Sequence, residues 1–237
     1  MSLSQGSITY GKRQIKFNVL YVNRKTLEIA VLPDRQVVVK APIGSEWDKI
    51  QKKIIKRARW ISRQLEYFRQ FEPRTPARQY VGGESHLYLG RHYRLKVHRN
   101  CSAGVKLTKG FCQVSVTGKS SSREIKAVLD EWYFHRASAK FIDAFERCWN
   151  DFNKRGVSKP RLFTRRMKTR WGSLAKSGAL TLNTDLVRAP LECIEYVITH
   201  ELCHLKHHDH SSGFYKLLEK VMPDWEKRKR RLEMALV

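Results

Sequence analysis

Between Tyr196 and His210 the chain reads YVITHELCHLKHHDH, and His200, Glu201 and His204 within it form the pattern HExxH. On a helix, residues four apart lie one turn along and about forty degrees round, so both imidazoles reach a single metal ion. Ile194, Val197, Ile198, Leu202 and Leu205 mark the apolar face on which such a helix packs. The two histidines fall on the shoulder of that face, which suits the floor of a cleft better than a core. Glu201 follows the first histidine directly, the place from which a carboxylate takes a proton from metal-bound water; zinc lowers the pKa of that water to about 7. The competing reading is a chance HExxH on an ordinary amphipathic helix.

Two histidines rarely complete a catalytic zinc site, so a third ligand is needed. His207, His208 and His210 are the candidates. His208 stands two turns beyond His200, about 12 Å along the axis if the helix continues, and His207 points to another side. His210 folds back if the helix breaks after His208, with Asp209, Ser211 and Ser212 as break and N-cap residues. His200, His204 and His210 are thus the expected ligands of one Zn2+, although imidazole also suits nickel, copper and iron. The spacing HExxHxxxxxH is that of the metzincins, but His207 stands at their turn glycine and no convincing Met-turn follows.

The elements that must position these residues are legible in outline. Ile15–Val22, Leu27–Leu32 and Val37–Lys40 read as a β-meander, with turns at Asn23-Arg24-Lys25 and Pro33-Asp34-Arg35. Trp47, Ile50, Ile54, Ala58, Ile61, Leu65 and Phe68 form one apolar stripe of a helix ended by Pro73 and Pro76, its lysines and arginines falling on a solvated face. Strand character returns at Ser85–Leu89, Tyr93–Val97, Gly104–Leu107 and Phe111–Val116. Ser121 and Glu124 form a capping box opening a second long helix, with the stripe Ile125, Val128, Trp132, Ala139, Ile142, Phe145 and Trp149. A short strand pair follows within residues 161–187, and Pro190 opens a third helix that runs through HExxH. No internal repeat is evident. The order predicts an α+β fold with a seam near residue 119: a β-rich region 1–119 with a long helix, and a helical metal-binding region 120–237 with a short β-hairpin or edge strand, the two packed as one unit.

Composition narrows the class further. The chain has 237 residues, 41% hydrophobic, enough for a real core. No apolar run approaches bilayer-spanning length and the N-terminus lacks a signal-peptide core, so no membrane partner and a cytoplasmic location are expected. Cys101, Cys112, Cys148, Cys193 and Cys203 are odd in number and lack CxxC spacing, which argues for buried bystander thiols. The net charge of +25 attracts polyanions, so a nucleotide or nucleic-acid partner is open beside a peptide or protein substrate.

The segments HELCHLKHHDHSSGFYKLLEKVMPDW, MKTRWGSLAKSGALTLNTDLVRAPLECIEYVITHEL and YVGGESHLYLGRHYRLKV, taken together, resemble the YgjP-like metal-dependent hydrolases, zincin-like proteins related to the SprT-like metallopeptidases. The resemblance covers most of the chain. It implies that His200, His204 and His210 are metal ligands, that Glu201 is the catalytic acid/base, and that 120–237 is a zincin-like catalytic region. One departure is Leu174, where the family has cysteine after Trp-Gly-Ser. The strands around Arg170–Ser173 and Leu182-Asn183 are expected to border the cleft, where an extended substrate adds as a strand. Trp171 reads better as a core aromatic than as a cleft residue. Arg165, Arg166, Lys168 and Arg170 either hold a phosphate-rich substrate, stabilise an oxyanion or are simply solvated; Tyr215 and His208 are further oxyanion candidates. The leading expectation is a zinc-dependent metallopeptidase. The alternatives are a phosphoanhydride or nucleotide hydrolase, and a basic nucleic-acid-binding protein with a zinc site, including a SprT-like role.

Overall fold

In Arg13–Val22 the buried residues are Ile15, Phe17 and Val19, every second one, and in Val37–Pro42 they are Val37, Val39 and Ala41. Two half-buried strands follow directly from that period of two. They lie in a computed structural model that describes residues 3–11, 13–32, 35–69, 78–99, 102–118, 121–153, 156–168 and 170–236. The Pro33-Asp34 part of one expected turn, the helix-ending Pro73 and Pro76, and Cys101 lie outside the described residues.

The first sheet contains β1 (Leu3–Tyr10), β2 (Arg13–Val22), β3 (Glu28–Val31) and β4 (Val37–Pro42). Its order is β1-β2-β4-β3, with β2 and β4 parallel, so it is not the meander that the turn signals imply. Alternation reveals strands but not their neighbours; β4, buried at every second residue, takes a central place and the short β3, with no fully buried residue, an edge. β1 carries no apolar run of its own. Gly6 explains why: a Cβ there would fall 2.6 Å from the Trp47 ring and 2.7 Å from that of Phe17, so the strand needs a residue without a side chain. Helix α1 (Trp47–Arg69) covers this sheet with Ile50, Ile54, Ala58 and Ile61, the stripe read from sequence.

The second sheet, β5 (Ser85–Tyr88), β6 (Arg91–Arg99), β7 (Gly104–Thr108) and β8 (Phe111–Val116), has the order β5-β6-β8-β7 with β6 and β8 parallel, and helix α2 (Ser122–Trp149) follows it. This is the topology of the first four strands and α1 over again. Buried Val37, Val39, Ala41, Ile50 and Ile54 recur at one constant spacing as Cys112, Val114, Val116, Ile125 and Leu129. The chain does contain an internal repeat, carried more by burial pattern than by residue identity, since of these pairs only Val39 with Val114 and Ile50 with Ile125 keep the residue.

The chain divides into compact units Met1–Thr75 and Pro76–Leu236, so the boundary falls well before residue 119. The cause is the core of the second unit, where Leu95, Cys112, Val114 and Val116 from the sheet share one cluster with Ile125, Leu129 and Tyr133 of α2. The Tyr133 hydroxyl donates to the Leu87 carbonyl at 2.7 Å, which lets a tyrosine serve as a core residue. The buried stripe of α2 accordingly runs through Tyr133, Ala137, Phe141 and Ala144, while Ile142 is 54% exposed. The expected capping box is present: the Glu124 N–H donates to Ser121 Oγ and the Ser121 N–H to Glu124 Oε2, each at 3.2 Å.

Beyond α2 stand β9 (Arg161–Arg165), β10 (Gly172–Leu174) and β11 (Ala179–Asn183) in the order β10-β11-β9, so the expected strand pair gains a third, parallel member and β10 is an edge. A 3-10 turn at Thr184–Arg188 leads to α3 (Leu191–Cys203), α4 (Ser212–Val221) and α5 (Trp225–Leu236). The basic run of α5 docks onto α3: Arg228 pairs with Glu195 at 3.2 Å and Arg231 with Glu192, over buried Leu232. The fold is α+β, and no helix among the described residues is long and apolar enough to cross a membrane. Cys112, Cys148 and Cys193 are buried free thiols that burial pushes up to about 11, and Cys203 is buried as well.

Candidate metal centre

Helix α3 buries Ile194, Val197, Ile198 and Leu202, which turns His200 and His204 toward one side of its C-terminal end. The helix stops at Cys203, five residues before the expected break at His208, and the chain turns through Leu205 and Lys206. Ser211 stands at the N-cap position of α4, as its residue type suggested, but its side chain makes no capping hydrogen bond. The reversal brings His210 back over α3: its Nε2 lies 3.0 Å from His200 Nε2, and one candidate ligand atom from each of His200, His204 and His210 lies within 4.8 Å of the others.

Two features prepare this cluster as a nitrogen donor set. His204 Nδ1 donates to the His207 carbonyl at 2.9 Å, leaving Nε2 free to bind a cation. Burial, reinforced by the neighbouring His210 and His204, holds His200 down to about 4, and burial followed by His204 lowers His210. His200 Nδ1 is itself buried without a hydrogen-bond partner. Beneath all three rings lies Phe214 of α4, fully buried, with its ring centroid 4.9, 4.7 and 4.7 Å from those of His200, His204 and His210. Phe214 escapes a search for chemistry-bearing residues; its signal is its place with Leu218 on the apolar face of α4.

Glu201 is 9% exposed and faces β10. Its Oε2 accepts the Leu174 N–H at 3.0 Å. Burial raises its pKa; His204, the Leu174 N–H and Arg170 oppose that rise. The leucine that departs from the family pattern therefore meets Glu201 through its backbone. Gly172 permits the approach, since a Cβ there would lie 2.8 Å from Glu201 Cγ and 2.9 Å from Val197 Cγ1. Replacing Gly172 with alanine must push β10 or Glu201 aside, and is expected to cost about 1–3 kcal/mol of stability, the usual range for overpacking. A urea unfolding curve unchanged from wild type would show that the strand gives way freely.

Asn183, buried at the end of β11, uses its whole amide. Nδ2 donates to the Met167 and Arg170 carbonyls at 2.9 and 3.0 Å, and Oδ1 accepts from the Met167 and Asp185 N–H groups at 3.3 and 3.2 Å. It pins the loop from which Arg170 and Trp171 emerge. Trp171 packs partly buried against the core. Of the basic cluster, Arg166 is engaged by Asp130 and Asp185 at 2.9 and 3.6 Å, whereas Arg170 lines a cleft of about 610 Å³ over the histidines. Lys176 and the expected His208 also line it. Tyr215 does not; it stands with its ring 6.3 Å from His210 and 5.6 Å from Trp225.

A family model described as YgjP-like, metallopeptidase domain, matches residues 25–235 of this chain. The chain belongs to the YgjP-like family. Among solved structures, the metallopeptidase zymogen of Pyrococcus abyssi abylysin is similar, at 26% identity and a TM-score of 0.37, over 40% of this YgjP-like chain and 94% of its own. No curated protein matches significantly. The YgjP-like assignment makes this a metallopeptidase-type chain, and the histidine cluster supplies a place where an ion could be held.

Proposed function

We propose that the protein is a zincin-like, zinc-dependent peptidase in which His200, His204 and His210 hold one ion and Glu201 is the general base. The observation that carries this reading is the convergence of three imidazoles beside a buried carboxylate at the floor of a cleft. A divalent ion in such a site polarises a carbonyl and makes a water nucleophilic near neutral pH. Glu201 takes the proton from the attacking water and returns it to the leaving amine; burial, by raising its pKa, makes it a better base. The Leu174 N–H fixes the carboxylate between these two transfers.

Strand β10 is the platform for the peptide. Trp171 and Ala175 direct their backbone bonds inward, to Asn183 and Ala179, so the alternation of an antiparallel pair turns the backbone of Gly172 and the carbonyl of Leu174 outward. An extended chain added there lies beside Glu201. Arg170 and Lys176 flank it, favouring acidic side chains in the substrate. The buried free cysteines suit a reducing cytoplasm.

The test is hydrolysis of a quenched-fluorescence peptide pool by the protein as purified, after chelation, and after readdition of metals one at a time. Cleavage is expected to disappear with the metal and to return with about one equivalent of Zn2+. A protein prepared without chelators that holds no metal would sink the reading. Hydrolysis of nucleoside triphosphates in place of peptides would keep the ion and replace the substrate.

A further inference from the structure

On the first unit, Lys53, Lys56, Arg57 and Trp60 stand at i, i+3, i+4 and i+7 of α1, one continuous stripe of the helix surface. They form one wall of a groove of about 450 Å³ whose other wall is Leu27 and Ile29, at the edge strand β3. No carboxylate lines this groove, and among the described residues none forms an ion pair with the three cations. Glu28, between Leu27 and Ile29, is occupied by Arg24 and Lys40. Trp60 is 38% exposed. A second recess shares Leu27 and Lys53 and adds Lys25, Lys49 and Lys52; its one carboxylate, Glu46, is paired with Lys49 at 3.1 Å. From Lys49 to Trp60 the path is about 16 Å long at the helical rise.

We propose that this groove binds single-stranded nucleic acid, with the cations on phosphates and Trp60 stacking on a base. A solvated basic face needs neither a concavity nor an indole, and this surface has both beside the same three cations. An exposed aromatic flanked by cations along a groove is the arrangement that reads a single strand without regard to sequence, because every base has a stacking face. A duplex hides those faces in its own stack. An anionic membrane calls for protruding apolar side chains; Leu27 and Ile29 are the half-buried wall of a recess, and Ile43, exposed at the second recess, is the reason vesicles are included in the test.

The experiment measures binding of the full chain to fluorescein-labelled 20-nucleotide oligo(dT) and oligo(U), to a blunt duplex, and to phosphatidylserine vesicles over a salt series. Single strands are expected to bind most tightly. The variant Lys53→Glu/Lys56→Glu/Arg57→Glu should weaken them by more than about 10-fold and reduce the slope of log affinity against log salt by about two. The same charge change on the second sheet, Arg91→Glu/Lys96→Glu/Lys106→Glu, controls for net charge and should cost far less. Trp60→Ala should lose about 10-fold and Trp60→Phe much less, with folding checked by circular dichroism. Equal losses from the two triple variants, an unaffected Trp60→Ala, or binding as tight to duplex or vesicles would each overturn the proposal. Peptide hydrolysis by the α1 variants should match wild type, so this result and the peptidase reading stand or fall separately.

Discussion

Glu201→Gln is expected to slow peptide hydrolysis by about 10²–10⁴-fold, the usual worth of a positioned general base, while the protein retains its metal. Glutamine keeps the length and shape of the side chain, and its amide oxygen can still accept the Leu174 N–H now taken by Oε2 at 3.0 Å. It cannot take a proton from water. The substitution therefore separates the carboxylate's chemistry from its packing against Gly172 and Val197. Metal content by atomic absorption and turnover on the same peptide should be measured together. Full activity in the variant would remove Glu201 from the mechanism. Loss of both metal and activity would make it a structural support of the histidines.

How much of this was legible depended on whether the relevant physics is local in sequence. The capping box at Ser121 and the stripe of α1 are local, set by spacing along one helix, and the structure places them as read; the HExxH spacing is local too, though α3 ends at Cys203 with His204 as its C-cap. His210 needed a chain reversal; the residue types around Asp209 and Ser211 indicated one, though α3 ends earlier, at Cys203. Strand order was not legible, because alternation in β2 and β4 tells which face is buried and nothing about which strand lies beside which. The boundary at Thr75 and the repeat behind it were hidden for the same reason: they reside in burial positions mostly occupied by different residues, such as Val37 and Cys112 or Ala41 and Val116. The residues around Glu201 were missed because they act without distinctive side chains. Leu174 contributes an N–H and Gly172 an absence of Cβ.

His210→Ala is expected to weaken metal binding by on the order of 10²-fold or more, since even loss of an outer hydrogen-bond partner costs 10–100-fold and two histidines rarely suffice. The geometry makes His210 the proposed ligand with most to reveal. It comes from the loop between α3 and α4, and it alone of the three is exposed. Its ring is set over Phe214 at 4.7 Å, and its Nε2 is 3.0 Å from His200 Nε2. Two imidazole nitrogens that close repel unless a proton or a cation lies between them, and an ion held by both would relieve this contact. Removing the ring leaves His200 and His204 correctly presented by α3 and the site open on one side. His208→Ala, by contrast, removes an exposed cleft residue whose ring is not part of the cluster, and should leave the ion in place. Competition with a zinc chromophore gives both affinities, and thermal unfolding gives an independent reading: a 100-fold loss of affinity at saturating metal corresponds to about 2.7 kcal/mol of lost stabilisation. Retention of zinc by His210→Ala together with its loss from His208→Ala would transfer the third position to His208, and with it the role of the loop that now carries His210 onto α3.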